Sequence, residues 1–131
     1  MIHLHEDNSS IPGDSISPRT WYNNATIANS TSALVDGAKR DRMVFAADMV
    51  IAIPSIVTST NDLATIKNSI ASLFARQDNI TGQLPYVGSP YPFVYSATYH
   101  LYTLMCLADY YLYSVRHNPW HDDAEVTTDA P

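Results

Sequence analysis

Charge is scarce in this chain, and positive charge most of all. Asp, Glu, Lys and Arg make up 15% of the 131 residues, with seven basic against thirteen acidic and a formal net charge of −6. No basic stripe extends beyond positions 39–42, and no basic patch is interleaved with aromatics, so nucleic acid is excluded as a partner. There is one cysteine, Cys106, which excludes an internal disulfide framework. It sits in the apolar run LYTLMCLADYYLY and reads as a small buried core residue. Long hydrophobic runs are missing too. The best, MVFAADMVIAIPSIV, is interrupted by Asp48 and Pro54 and is too short and polar to span a bilayer, so no membrane role is expected. The opening MIHLHEDNSS has no basic segment followed by an apolar one, so no signal peptide is expected. Four Asn-x-Ser/Thr sequons, at Asn8, Asn24, Asn29 and Asn79, permit a secretory history without establishing one, and localisation stays unassigned.

What is present is enough apolar material for a core. Hydrophobic residues reach 46%, and the length suits one domain. Residues 1–33 are rich in Asn, Ser, Thr and Pro and read as mostly loop, with Ile11, Trp21, Tyr22 and Ile27 as docking anchors. A helix is expected from Asp41 or Arg42 to about Ile53, largely buried and stopped or kinked by Pro54. In STNDLATIKNSIASLFARQ, the apolar residues Leu63, Ile66, Ile70, Leu73 and Phe74 recur at spacings of three and four. This predicts an amphipathic helix, capped by Thr60 or Asn61 with Asp62 in its first turn. The segment QDNITGQLPYVGSPYPF, with two glycines and three prolines, reads as an irregular loop. A third helix is expected over Tyr95–Tyr113; it holds six of the nine tyrosines and is apolar nearly all round, so it should lie between other elements. No alternating strand and no internal repeat stand out. The expected class is all-α.

Against this low background, six charges crowd into LVDGAKRDRMVFAAD: Asp36, Lys39, Arg40, Asp41, Arg42 and Asp48. Gly37 allows a tight turn or a close backbone approach. On one helix, Asp41 and Asp48 would share a face, roughly 10 Å apart along the axis, with Asp36 folding back over the helix start. Carboxylates converging in this way suit general acid/base chemistry, glycoside hydrolysis above all, with Arg40 forking hydrogen bonds to a hydroxyl or carboxylate. The same residues also describe a salt-bridged helix start, with Asp capping and Arg pairing. The neighbouring cations act against a general acid, because they hold Asp41 ionised unless burial or the other carboxylates outweigh them. Metal-capable residues occur at His3–Asp7 and again at His117, His121, Asp122 and Asp123, but neither set has a distant partner group, so no metal is expected. His100, in TYHLY, reads as a satisfied core histidine whose tyrosine neighbours can also make it a sugar contact.

Three segments carry a resemblance to a known family: WYNNATIANSTSALVDGAKRDRMVFAADM, then TGQLPYVG, then YSATYHLYTLMCLADYYLYS. In this order they are similar to landmarks of six-hairpin glycosidases of the α-L-rhamnosidase type, especially the fungal form, over roughly residues 20–114. The resemblance implies helical hairpins belonging to an (α/α)6 barrel. It implies inverting hydrolysis of terminal α-L-rhamnosyl bonds in carbohydrate metabolism, with no cofactor. On the matching positions it implies Asp41 as proton donor, with Asp36, Arg40 and Asp48 as sugar contacts and the Phe45 ring stacking on the sugar. Phe45 stands where the family usually has tryptophan, and Ala47 where it usually has glycine. Twelve barrel helices with their loops need about 200 residues or more, and the family's catalytic base, a downstream glutamate, has no matching position here. The implied division is an irregular segment 1–20, a partial catalytic domain 21–115 and a divergent polar tail 116–131. The implied partner is a rhamnose-containing glycoside or oligosaccharide. A fragment of this kind would be inactive alone and prone to self-association through faces meant for other helices. The rival expectation is a non-catalytic, degenerate helical fragment that is at most a weak sugar-binding or interaction module.

Overall fold

The computed structural model describes residues 2–5, 27–28, 30–37, 42–91 and 93–116. Two short strands, β1 (Ile2–His5) and β2 (Ser32–Val35), precede three helices, α1 (Ala46–Thr60), α2 (Leu63–Phe74) and α3 (Ala97–Arg116). The fold is mostly helical, as an all-α reading requires. The anchors Trp21 and Tyr22 lie outside the described residues, whereas Ile27 is buried.

The strands depart from the expected loop. β1 and β2 pair antiparallel, with His3 opposite Leu34 and Leu4 opposite Ala33. All four residues of β2 are buried, so the run SALV shows no alternation of polar and apolar positions. A strand covered on both faces loses the period-two signal.

α2 fixes one side of β2 through its hydroxyls. The Leu34 amide donates to Ser69 Oγ at 2.7 Å, and Ser69 Oγ in turn donates to the Thr65 carbonyl at 2.8 Å. Ser32 Oγ lies 2.6 Å from Thr65 Oγ1, which also donates to Asp62 Oδ2 at 2.7 Å. These polar atoms are buried and need partners. Two small hydroxyl residues, one turn apart, supply them without breaking the helix.

α2 forms where its apolar spacing requires. Ile66, Ile70 and Leu73 are buried, and Leu63 and Phe74 pack against the same core. The cap is Asp62, whose carboxylate accepts from the Thr65 amide at 3.0 Å. It therefore stands one residue later than Asn61, which instead closes α1 in a left-handed conformation with φ 53°.

α1 differs from expectation at both ends. It starts at Ala46, not near Asp41: Arg42 has φ 51°, and Phe45, the residue before the helix, is extended. It also runs through Pro54 to Thr60. Pro54 is exposed, and on the outer, convex side of a helix the hydrogen bond removed by proline is the one most easily given up. The buried side of α1 is Ala46, Met49, Ile53 and Val57. Ile51 points to solvent, so the helix is half-buried rather than largely buried.

α3 packs on α1 and α2 through Tyr99, Tyr102, Cys106, Tyr110 and Tyr113. Its opposite face is exposed and apolar, contrary to the expectation of burial all round. Among the described residues, no helix is long and apolar enough to cross a membrane.

Candidate functional site

The loop after β2 is closed at its neck. Asp36 Oδ1 accepts from the Met43 amide at 3.1 Å, and the Asp36 amide donates to the Met43 carbonyl at 3.2 Å. Lys39, Arg40 and Asp41 lie between these two anchors, outside the described residues. Because α1 begins at Ala46, its axis does not set the spacing of Asp41 from Asp48. Asp36 thus closes the loop neck ahead of α1, while three of the charges in the expected salt-bridged start, Lys39, Arg40 and Asp41, lie outside the described residues.

The chain leaving this loop is held by the segment LPYVG. The Gly88 amide donates to the Val44 carbonyl at 2.9 Å, and a β-carbon on Gly88 would come within 3.1 Å of Val44 Cβ. A glycine at this position lets the two backbones meet. Tyr86 follows from the same contact: its ring centroid stands 5.7 Å from that of Phe45, edge to face.

The start of α3 completes the group. Tyr99 lies 4.2 Å from Tyr86, 6.4 Å from Phe45 and 5.8 Å from Tyr102, measured between ring centroids. All four rings are half-buried. Asp48, exposed in the first turn of α1, is near enough for its charge to act on Tyr99. Burial pushes the Tyr99 phenol up to about 12, helped by a hydrogen bond with Tyr86 and by the negative field of Asp48. His100 is fixed by the Leu84 amide, which donates to its Nδ1 at 3.1 Å. That bond makes Nδ1 the acceptor and leaves Nε2 to carry the proton of the neutral ring. The half-buried ring thus meets the expectation of a satisfied histidine.

Phe45 and Asp48 therefore come together with three tyrosines, of which Tyr86 was not singled out by sequence. Its signal was the LPYVG segment itself, whose glycine forces the close approach. Aromatic rings can stack on the apolar face of a sugar, while a carboxylate and phenols exchange hydrogen bonds with its hydroxyls. A concavity of about 300 Å³ lies elsewhere, between α2 and α3, lined by Lys67, Ile70, Ala71, Phe74, Leu107 and Tyr110. None of these is an expected site residue.

Of the metal-capable sets, His3 and His5 fall in β1, and the set at 117–123 lies outside the described residues. Among the described residues, no group of three or more His, Cys, Asp or Glu is arranged to hold a metal ion. Cys106 is buried, its thiol donating to the Ala46 carbonyl at 3.4 Å, and burial pushes that thiol up to about 12. It is a core residue, not a nucleophile.

The raised phenol and thiol set an alkaline limit. Both groups titrate higher in the folded chain than their ordinary values of 10.0 and 9.0. Their contribution is fully present below those ordinary values and is lost as pH rises toward about 12. Urea midpoints should therefore hold steady up to pH 9 and fall progressively above it. A Cys106→Ala variant should delay the onset of the fall, and a midpoint that ignores pH across this window would contradict the assignment.

No family model matches the chain, and no curated protein matches it.

Proposed function

We propose that this chain is the acid-side portion of an inverting glycosidase of the α-L-rhamnosidase type. It contacts a terminal rhamnosyl unit through Asp36, Arg40, Asp48 and Phe45, and Asp41 is its proton donor. The observation that carries this reading is the convergence of the three segments on which the resemblance rests. The loop neck at Asp36–Met43, the LPYVG turn and the first turn of α3 meet around Phe45, Tyr86 and Tyr99. The loop neck and Phe45 are far in sequence from the other two segments, and nothing in their composition requires them to adjoin.

The incomplete barrel belongs to the same proposal. Three helices leave α3 with an outer apolar face, which fits a set of hairpins that lacks neighbours. Without a base across the site to activate water, inversion does not proceed. The 131-residue chain should give no hydrolysis of an aryl α-L-rhamnoside above the buffer rate. Robust turnover that disappears in Asp41→Asn would show that the base is present after all and that the fragment reading is wrong.

The non-catalytic reading has one specific support. Oδ1 of Asp36 already holds the Met43 amide, a structural task that needs no sugar. In that reading the loop persists for folding, and the ring cluster is at most a weak sugar platform.

A further inference from the structure

The outer face of α3 has a regular pattern. Ala97, Leu101, Leu104, Ala108 and Tyr111 follow one another at spacings of four, three, four and three, the seam of a helix that pairs with another helix. Met105 and Leu112 flank this seam. Leu101, Leu104, Met105, Tyr111 and Leu112 are between 41 and 64% exposed, and Ala97 and Ala108 are exposed as well. Between Ala97 and Val115 the only Asp, Glu, Lys or Arg is Asp109, which is half-buried off this stripe. Five large apolar side chains at these exposures present roughly 500 Å², at the upper end of what a soluble monomer leaves uncovered.

Two features identify what covers this stripe. Residues 117–131 carry Asp122, Asp123, Glu125 and Asp129, and residues 6–26 are rich in Asn, Ser and Pro, with Ile11, Ile16, Trp21 and Tyr22 scattered rather than spaced as a matching stripe. The stripe, in contrast, is complementary to itself. Turned about a two-fold axis midway between Leu104 and Met105, a second α3 running antiparallel sets Leu104 against Met105, Leu101 against Ala108 and Ala97 against Leu112. Away from the axis each large residue meets a small one, as interdigitating helices require. A two-fold contact uses the same patch on both partners. Two such faces bury roughly 1,000 Å² in total, which reaches the threshold for a specific interface.

We infer that α3 is a homodimer interface, formed by antiparallel pairing with a second copy of this chain about the Leu104–Met105 axis. It uses the same exposed face of α3 that the fragment reading attributes to missing hairpins, but it requires no sugar site.

Sedimentation of the 131-residue chain at micromolar concentration tests it. The expected species is a dimer of two 14.5-kDa chains. Leu101→Glu, at an exposed position that leaves the fold intact by circular dichroism, should raise the dissociation constant about tenfold or more by burying an unpaired charge. Leu104→Cys should link to itself through a short bismaleimide. Ala97→Cys should not, because its two copies lie about 22 Å apart along the helix axis in the antiparallel register. The buried Cys106 of the parent chain should give no link. A monomer, an open-ended aggregate, a dimer indifferent to Leu101→Glu, or equal linking at positions 97 and 104 would each overturn the inference.

Discussion

Replacing Ile53 with alanine is expected to destabilise the chain by about 2–5 kcal/mol, a large part of the roughly 5–15 kcal/mol available to a domain. Ile53 has no exposed surface and lies in the one continuous core with Met49, Val57, Ile66 and Cys106. Alanine removes three carbons from a site that helices on either side hold open, so lost transfer energy and cavity add. Ile51, two residues earlier on the same helix, is 82% exposed. Ile51→Ala should move stability by no more than about 0.5 kcal/mol. Urea denaturation of the pair gives the comparison directly. Equal losses would mean that α1 is rotated from the orientation described.

The second large effect is expected at Ser69. Ser69→Ala removes the acceptor of the Leu34 amide, which sits in a strand with no solvent access. A buried donor left without a partner costs about 1–3 kcal/mol, more than the hydroxyl's net contribution in water. The loss should be local first. Hydrogen exchange at the Leu34 amide should accelerate more than at core amides of α3, because β2 loosens from α2. Ser72→Ala is the control: its half-buried hydroxyl donates only to the Ser69 carbonyl within the same helix, so its removal should cost a few tenths of a kcal/mol. A Ser69→Ala variant as stable as the parent would show that another acceptor takes over.

α2 was legible because every local signal agreed: apolar spacing, a carboxylate cap, and no proline. Only the cap's register moved, from Thr60 or Asn61 to Asp62. α1 was not, because its start depends on partners far away in sequence. Met43 is held by Asp36 and Val44 by Gly88, so residues next to the helix start are kept out of the helix. Its end was placed too early because a proline inside a helix can be carried through at the cost of one hydrogen bond, and at the exposed Pro54 the helix continues to Thr60. β2 was invisible as a strand because its partners are an N-terminal strand and the hydroxyls of a helix. The candidate site was half legible. Phe45 and Asp48 were chosen by resemblance and stand beside the tyrosines, Asp36 turned out to hold a loop, and Arg40 and Asp41 lie outside the described residues. Tyr86 became visible only when Gly88 brought its segment against Val44.

Calorimetric titration of the chain with L-rhamnose tests the sugar site most directly. The account predicts weak binding, in the millimolar range or near −4 kcal/mol, reduced by Arg40→Ala and by Asp48→Asn while both variants keep the parent's helical signal. No heat at high millimolar rhamnose, or heat identical in the parent and both variants, would contradict it.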